Sequence, residues 1–324
     1  MPNYQENLLI IGAGPSGLTA GIYAARANLS PVILGGLQPG GQMTLTSEVE
    51  NYPGFADVVQ GTWLMETMQK QAMNVGAKIV YDIVNAVDFS QYPFRCVTDQ
   101  DVVYSAKSII IATGARARWL GLPSEEHFKG CGVSACAICD GSFYRDKNVV
   151  VVGGGNTAVE EALYLVNICR SVTLVHRRDS LRAEKILQHR LLNNDKITVI
   201  WNSVVEEVLG SAHSSKGVEA IRINNLNSGE SIILPAEGLF VAIGHDPATK
   251  LFIGELSLDH DGYLIVEPGS TRTSVSGIFA AGDCADKIYR QAITAAGMGC
   301  MAALEAEKYL AKCANKDVHE TYSK

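Results

Sequence analysis

The chain has 324 residues, of which 47% are hydrophobic and 19% are charged, as in a soluble globular protein with a sizeable core. The length predicts about two domains, and the formal net charge of -7 argues against nucleic acid or an anionic membrane surface as partner. The segment 1–7 has no basic residue, and the apolar run that follows is short. We therefore expect neither a signal peptide nor a membrane span, and a cytoplasmic protein.

The first predicted unit is a strand, a glycine-rich turn, a helix and a second strand. Residues 8–11 indicate a buried strand, a helix is expected from about 18 to 26, and residues 31–34 indicate the next strand. The turn carries the dinucleotide fingerprint GxGxxG, whose glycines are Gly12, Gly14 and Gly17. A lone fingerprint is weak support, but in this setting it favours a nucleotide-binding βαβ unit over a chance glycine turn.

The residues after the second strand leave the nucleotide of this unit open. Gly35 and Gly36 stand where an acidic residue commonly holds a ribose, so the unit alone is not assigned to FAD. Two later segments, 109–114 and 277–283, also run from a strand into a turn of small residues that lets a ligand approach the backbone. The turn residues are Ala112, Thr113 and Gly114 in one, and Gly282 and Asp283 in the other.

If both segments belong to the first sheet, the first domain is discontinuous and comprises residues 1–116 and 246–324. Residues 117–245 then form a second domain inserted into it, with a last strand near 239–244. The stretches Ala115–Ala117 and His245–Pro247 are the only two links. Because two thin links join compact domains, we expect the inserted domain to rotate relative to the first.

Cys136 and Cys139 form a CxxC motif, followed at once by Asp140. A zinc site would need a second close cysteine pair or histidines at ligand spacing, and the sequence has neither nearby. Two ordinary buried thiols are the other alternative. We favour a redox-active pair, with Asp140 as the proton donor and acceptor, although a helix cap or turn would also explain that aspartate. The remaining cysteines are interpreted as small buried hydrophobes or idle thiols: Cys96, Cys131, Cys169, Cys284, Cys300 and Cys313.

A second fingerprint unit follows the CxxC motif. Residues 149–152 indicate a strand, a helix is expected from 157 to about 168, and residues 172–175 indicate the partner strand. The turn between strand and helix contains Gly153, Gly155, Asn156 and Thr157. After the partner strand come His176, Arg177, Arg178 and, a turn later, Arg182. Guanidinium groups at this place suit the 2′-phosphate of NADPH, and the alternative is a basic surface patch.

Together these motifs resemble those of the bacterial-type, low-molecular-weight thioredoxin reductases over nearly the whole chain. The segments that carry the resemblance are 12–17, 40–42, 48–54, 132–141, 153–161, 176–182, 282–283 and 289–292. The resemblance implies an α/β fold of two Rossmann-like domains, with the NADPH domain inserted into the FAD domain. It also implies transfer of electrons from NADPH through FAD and the cysteine pair to thioredoxin, in a cytoplasmic homodimer.

The resemblance also implies roles by position. Cys139 would accept electrons from the flavin, Cys136 would attack the partner's disulfide, and Asp140 would be the acid–base group. Asp283 would hold the ribityl chain of the flavin. The other implied FAD residues are Gly12, Gly14, Ser16, Gly17, Gly35, Gly36, Gly41, Gln42, Asn51, Ala112, Thr113, Gly114, Gly282, Arg290, Gln291 and Ala292. The implied NADPH residues are Gly153, Gly155, Asn156, Thr157, His176, Arg177, Arg178 and Arg182.

Two positions depart from the family pattern. Ser142 replaces an aromatic residue, and Cys131 stands where a basic residue is common, both on the segment expected to face a protein partner. These differences concern the recognition of thioredoxin rather than the redox chemistry. Three competing interpretations remain: a dithiol oxidase, the reductase of a peroxide-scavenging system, and a redox sensor without turnover. A dithiol oxidase would lack the set of arginines.

Overall fold

The computed structural model describes residues 2–37, 40–46, 48–211 and 217–322. The chain divides into two compact units, one formed by 1–116 together with 246–324 and the other by 117–245. Within the described ranges, no helix has both the length and the apolar character needed to cross a lipid bilayer.

Strands form most of the framework of both units. In chain order the described strands are β1 (Asn3–Ile11), β2 (Val32–Leu34), β3 (Lys78–Val80), β4 (Val84–Asp88), β5 (Phe94–Thr98), β6 (Val103–Ile111), β7 (Ala115–Ala117), β8 (Val133–Ser134), β9 (Asn148–Val152), β10 (Ser171–Val175), β11 (Ile197–Ile200), β12 (Ser203–Ser211), β13 (Gly217–Asn225), β14 (Ser231–Pro235), β15 (Gly238–Val241), β16 (His245–Pro247) and β17 (Ile278–Ala280). The two predicted links coincide with β7 and β16.

Helices cover the sheets. They are α1 (Pro15–Arg26), α2 (Gly61–Asn74), α3 (Pro123–Phe128), α4 (Ala137–Asp140), α5 (Asn156–Leu165), α6 (Lys185–Leu192) and α7 (Ala292–Tyr322). Short 3-10 helices span Gly41–Leu45, Gly141–Tyr144 and Lys250–Phe252. The longest helix, α7, packs along α1 in the first unit.

The sheet of the first unit has the order β3-β2-β1-β6-β5-β4, and β17 also pairs with β6. Strands β1, β2, β3, β6 and β17 run parallel, whereas β5 pairs antiparallel with both β6 and β4. Successive residues of β1 point to opposite faces: Leu8 and Ile10 enter the core beneath the helices, and Leu9 and Ile11 enter the core on the other face. Because both faces are buried, the strand ends in an unbroken apolar run.

The second unit repeats this arrangement in a parallel sheet of order β11-β10-β9-β15-β8. Val149 and Val151 of β9 pack with residues of α5, while Val150 and Val152 pack with residues of β12 and β13. Strands β12, β13 and β14 form a separate antiparallel sheet. The four-valine run is thus explained by burial on both faces, as in β1.

The predicted fold class is confirmed, because each fingerprint lies between a parallel strand and a helix of a Rossmann-like unit. The segment 277–283 contributes β17 to the first sheet, as the sequence predicts. Helix α1 begins at Pro15 rather than near Leu18. Gly14 is its N-cap residue, and a proline fits the first helical position because it needs no hydrogen-bond donor there.

Helix α5 ends at Leu165, before the expected end near residue 168. The side chain of Asn167 folds back and its Nδ2 donates to the carbonyl oxygens of Leu163 at 2.9 Å and Tyr164 at 3.3 Å. These bonds satisfy carbonyl groups that a longer helix would have used. An asparagine that competes for backbone partners therefore ends the helix earlier than apolar periodicity indicates.

Replacing either of two glycines of α7 by alanine should have opposite effects on the stability of the protein. A Cβ on Gly299 would lie 2.1 Å from the carbonyl oxygen of Ser16, whereas a Cβ on Gly297 would meet no atom of the described residues within 4 Å. We expect Gly297→Ala to raise the free energy of unfolding by about 0.5–1 kcal/mol through helix propensity. Gly299→Ala should lower it by roughly 1–3 kcal/mol because α7 must move away from α1. Chemical denaturation measures both values, and equal effects of the two substitutions would contradict this packing.

Candidate redox centre and nucleotide sites

The turns after four parallel strands lie side by side at one edge of the first unit's sheet. Ile11 ends β1 opposite Leu34 of β2 and Ile111 of β6. Ile111 is in turn paired with Ala280, the last residue of β17. Ligands of open α/β sheets bind at this carboxyl edge. The predicted FAD segments that meet there are 12–17, 35–36, 112–114 and 282–283.

Close backbone contacts require two glycines of the first fingerprint. A Cβ on Gly17 would lie 1.9 Å from the carbonyl oxygen of Gly12, and a Cβ on Gly12 would lie 2.2 Å from that of Ala112. A Cβ on Gly14, by contrast, would meet no described atom within 4 Å, and Gly14 is the N-cap residue of α1. The space beside the N-cap residue is therefore open, and the first N–H groups of a helix have no partner within it, which fits the approach of a pyrophosphate.

Asp283 holds a carboxylate oxygen that is fully enclosed. Among the described residues its Oδ1 has no hydrogen-bond partner, and neither has the buried Oγ of Ser16. Ser16 lies beside Gly282, the residue before Asp283, since a Cβ on Gly282 would lie 3.0 Å from the Cβ of Ser16. Burial, reinforced by repulsion from Asp286, raises the pKa of Asp283 to about 6. Enclosed polar atoms need partners, so a ligand with hydroxyl groups, such as the ribityl chain of a flavin, fits this place.

Two predicted flavin residues that are far apart in sequence are brought together. The Nδ2 of Asn51 donates to the Oε1 of Gln291 at 3.4 Å. Arg290 has a positive φ of 47°, and its backbone N–H donates to Asp286 Oδ2 at 3.2 Å. Ala292 is the first residue of α7. The segment 290–292 therefore opens the last helix, as the resemblance implies.

The segment that contains Gly41 and Gln42 crosses the first fingerprint. The N–H of Gly40 donates to the carbonyl oxygen of Ala13 at 2.9 Å. A Cβ on Gly41 would lie 3.6 Å from the Cα of Gly14. Gln42 follows in the 3-10 helix with an exposed side chain. Both residues thus lie beside the turn that is predicted to bind a nucleotide.

The second fingerprint uses its glycines in three different ways. A Cβ on Gly153 would lie 2.4 Å from the carbonyl oxygen of Ala242, so backbone packing requires this glycine. A Cβ on Gly154 would lie 2.1 Å from the His176 ring. Gly155 is the N-cap residue of α5, and a Cβ on it would meet no described atom within 4 Å. The space beside the N-cap residue of α5 is therefore open, as it is beside that of α1, which fits the approach of a phosphate.

The loop 176–182 is attached to this helix terminus. The N–H of Arg182 donates to the carbonyl oxygen of Gly154 at 2.7 Å. Helix α5 begins with Asn156 and Thr157, and the Oδ1 of Asn156 accepts the N–H of Glu184 at 2.8 Å. The loop carries three exposed guanidinium groups, those of Arg177, Arg178 and Arg182. Planar cations beside a helix N-terminus are suited to a phosphate group.

His176 is placed differently from these arginines. Its side chain is buried, its ring lies against Gly154, and its Nε2 is 3.1 Å from the carbonyl oxygen of Ser180. Burial lowers the pKa of His176, so the ring is neutral at pH 7. The histidine therefore supports the shape of the loop and adds no cation to it, and its predicted contact with NADPH stays a prediction.

The two predicted redox cysteines form a disulfide bond, Cys136–Cys139. Cys136 is the N-cap residue of α4, and its Sγ accepts the backbone N–H of Cys139 at 3.2 Å. Both sulfur atoms thus belong to a single helical turn. A backbone N–H directed at a sulfur favours the thiolate once the bond is reduced, which suits Cys136 to nucleophilic attack.

Sequence reasoning missed Ser134, the last residue of β8. Its buried hydroxyl donates to Oδ2 of Asp140 at 2.5 Å and accepts the N–H of Cys136 at 3.0 Å. The predicted acid–base group is therefore held within the turn that carries the cysteines. The signal in the sequence was a serine two positions before the CxxC motif, and that spacing has no meaning until the turn from β8 into α4 is known.

The remaining cysteines divide into three groups by exposure. Burial raises the pKa of Cys96 to about 12 and the pKa values of Cys169 and Cys284 to about 11, so these thiols do not ionise at neutral pH. Cys131 is exposed, so the buried alternative is wrong there, and Ser142 on the same segment is exposed too. The thiols of Cys300 and Cys313 are half-buried.

Comparison with known proteins identifies the family. Residues 6–299 match the model of the pyridine nucleotide-disulphide oxidoreductase family. A thioredoxin reductase of Rickettsia conorii is 60% identical over 94% of this chain and 98% of its own. A Pseudomonas fluorescens protein named glucosaminate ammonia-lyase is 54% identical over 94% of this chain and 96% of its own. A solved thioredoxin reductase of Giardia duodenalis has a TM-score of 0.91 and 43% identity, covering 95% of this chain and 99% of that one. The chain therefore belongs to the pyridine nucleotide-disulphide oxidoreductases and, within them, to the thioredoxin reductase family.

Proposed function

We propose that this protein is a thioredoxin-disulfide reductase, which transfers electrons from NADPH via FAD and the Cys136–Cys139 disulfide to oxidised thioredoxin. The observation that carries the proposal is a disulfide within one helical turn, next to a carboxylate, in a chain with two open fingerprint turns. The names of relatives such as the Rickettsia conorii protein support it. In the cell the reaction would maintain redox homeostasis.

The first unit would hold FAD. The N-terminus of α1 would bind the pyrophosphate. The carboxylate of Asp283 would accept hydrogen bonds from the ribityl hydroxyls, and the hydroxyl of Ser16 would donate one to them. Asn51 and Gln291 would line the ring pocket, with the N-terminus of α7 stabilising negative charge there. Bound FAD supplies an acceptor for a hydride and a donor of two electrons to a disulfide. The protein's part is to bind and orient that group.

The second unit would hold NADPH. The N-terminus of α5, opened by Gly155, would bind the pyrophosphate, and the exposed arginines of the loop 176–182 would bind the 2′-phosphate. An adenosine ribose without that phosphate would leave these cations unpaired. The proposal therefore includes selectivity for NADPH over NADH.

In the reductive half of the reaction, NADPH, one proton and the disulfide give NADP⁺ and a dithiol. In the exchange that follows, the thiolate of Cys136 attacks the thioredoxin disulfide, forming a mixed disulfide and releasing one partner thiolate. The thiolate of Cys139 then attacks Cys136, which restores the protein's disulfide and releases the second partner thiolate. Asp140 accepts a proton from the pair and returns it to the leaving thiolates.

The resemblance supports two further parts of the proposal, namely a homodimer and a cytoplasmic location. Light scattering of the purified protein tests the first, and fractionation of the source cells tests the second. One similar protein carries the name of an ammonia-lyase. Elimination of ammonia consumes no NADPH, so an assay of NADPH oxidation also distinguishes that activity from disulfide reduction.

The cysteine pair is tested by Cys136→Ser, with Cys313→Ser as control. Cys313 is a half-buried thiol of α7 and lies outside the disulfide. We expect NADPH oxidation that depends on oxidised thioredoxin to be lost in Cys136→Ser and kept in Cys313→Ser, because only the first removes the attacking sulfur. The measurement is absorbance at the NADPH band with and without thioredoxin. Turnover that ignores thioredoxin and survives Cys136→Ser would instead indicate an oxidase.

Coenzyme selectivity is tested in the double variant Arg177→Ala/Arg178→Ala. Loss of charge-assisted bonds to the 2′-phosphate should raise KM for NADPH by about tenfold or more while KM for NADH stays unchanged. Arg190→Ala is the control, since Arg190 is an exposed arginine of α6 in the same unit. A parallel rise in both KM values would show that the arginines act on the fold and not on the phosphate.

Replacement of Asp283 should have opposite effects on cofactor binding and on stability. Asp283→Asn removes a charged acceptor, so we expect FAD to bind about tenfold more weakly. Asp101→Asn, at an exposed turn residue, is the control and should leave FAD binding unchanged. Flavin content after purification and titration of the flavin-free protein with FAD measure the effect.

The stability effect follows from the raised pKa of Asp283. Its folded value, about 6, lies above the ordinary 3.8, so the flavin-free protein loses stability from this group as pH rises from about 4 to about 6. The Asp283→Asn variant does not lose this stability, because the amide does not ionise. At pH 7 the variant should exceed wild type by roughly 2–3 kcal/mol, and the difference should shrink towards pH 4. Urea unfolding of both flavin-free proteins measures it, and a pH-independent difference would contradict the assignment.

A further inference from the structure

The hydroxyl group of Ser134 joins two parts of the redox turn. The residue is 6% exposed and lies on β8, whose neighbour in the sheet is β15. Its Oγ is 2.5 Å from Oδ2 of Asp140, 3.0 Å from the backbone nitrogen of Cys136 and 3.4 Å from the carbonyl oxygen of Cys136. All of these atoms belong to the second unit.

The single hydroxyl proton can serve only one acceptor well. The carboxylate at 2.5 Å is a much better acceptor than the carbonyl oxygen at 3.4 Å, so the proton points to Asp140. The hydroxyl oxygen is then free to accept the N–H of Cys136. Ser134 thus connects the backbone of the first redox cysteine to the acid–base group.

A hydrogen bond of this length from a hydroxyl to a carboxylate is of the charge-assisted kind. It stabilises the ionised carboxylate relative to the protonated one, so it lowers the affinity of Asp140 for a proton. It also restricts the side chain to one orientation within the turn. Both effects matter to a group that must release a proton to a thiolate and take it back.

We propose that Ser134 is a positioning residue, which orients Asp140 and sets its proton affinity for the exchange of protons with the Cys136–Cys139 pair. The inference rests on the proposed function. Nothing in the sequence motif assigns the serine this role. It follows from the two hydrogen bonds that the fold makes possible.

Other titratable groups lie on the elements that pack around this turn. Burial raises the pKa of Tyr144, with the charge of Asp140 as a further cause, so this phenol stays protonated through the neutral range. From α5, the ring of Tyr164 packs against Gly141, where a Cβ would lie 3.2 Å from its Cε1. Strand β15 contributes only Gly238–Val241, which has no titratable side chain. Helix α5, which packs against α4, also carries Glu161, one of whose carboxylate oxygens is buried. Once the disulfide is reduced, Cys136 and Cys139 add two thiols to these groups.

The experiment compares Ser134→Ala with Asp140→Asn and with Ser203→Ala in the holoenzyme. Ser203 is a matched control, because it is a buried serine of the same unit whose hydroxyl donates to the carbonyl oxygen of Trp201 at 2.7 Å, away from the redox turn. The first readout is the pH profile of thioredoxin reduction. The second is the pH dependence of iodoacetamide alkylation of the dithiol, after reduction with a phosphine, which requires neither NADPH nor thioredoxin.

The inflection that belongs to Asp140 is the one that Asp140→Asn removes from both profiles. In Ser134→Ala we expect that inflection to move to higher pH by about one unit, because the ionised carboxylate has lost its donor. Ser203→Ala should leave it in place, and Ser134→Thr, which keeps a hydroxyl, should return it towards the wild-type position. Adding Ser134→Ala to Asp140→Asn should have no further effect on either profile.

An unmoved inflection in Ser134→Ala overturns the inference, as does an equal shift in Ser203→Ala. If Ser134→Ala does not fold, Ser134→Gly replaces it, because glycine also lacks the hydroxyl donor and adds no thiol, so it should also shift the inflection upward. Failure of this inference can be distinguished from failure of the proposed function. If wild type does not reduce thioredoxin, the proposed function is wrong, but the alkylation profile still tests the contact between Ser134 and Asp140.

Discussion

The close approach of a helix to the end of a strand is the contact on which each nucleotide site depends. In the first unit a Cβ on Gly17 would lie 1.9 Å from the carbonyl oxygen of Gly12, and in the second a Cβ on Gly153 would lie 2.5 Å from the Cβ of Ala158 in α5. Any larger residue would push the helix away from the sheet edge. Because the helices stay close, their unpaired N–H groups remain beside the turns of the neighbouring strands, where a phosphate can reach them.

The two units apply this one arrangement to different surroundings. Around the first fingerprint the structure encloses a carboxylate oxygen of Asp283 and the hydroxyl of Ser16, which need donors and acceptors from a ligand. Around the second it exposes the guanidinium groups of Arg177, Arg178 and Arg182. Enclosed polar atoms suit a group that stays bound, whereas an open cationic loop suits one that binds and leaves. This difference agrees with FAD as resident cofactor and NADPH as exchanging substrate in the proposed reaction.

Burial and local hydrogen bonds decide which sulfur atoms take part in chemistry. Cys96, Cys169 and Cys284 are buried, and their raised pKa values keep them protonated at neutral pH. Cys136 instead receives a backbone N–H from Cys139, and its own N–H is held by Ser134. The same residue type is therefore inert in the cores and reactive in a short turn with directed donors.

The sequence by itself determined the two βαβ units and the CxxC motif, since apolar runs, glycine spacing and short motifs are local properties of the chain. Only the tertiary structure decided the contact of Asn51 with Gln291, which lie 240 positions apart, and the burial that makes His176 neutral. It also decided that Ser134 donates to Asp140. Periodicity shows which residues are buried in a strand or helix, but hydrogen-bond partners and pKa values depend on which elements meet, and that is settled by packing between distant segments.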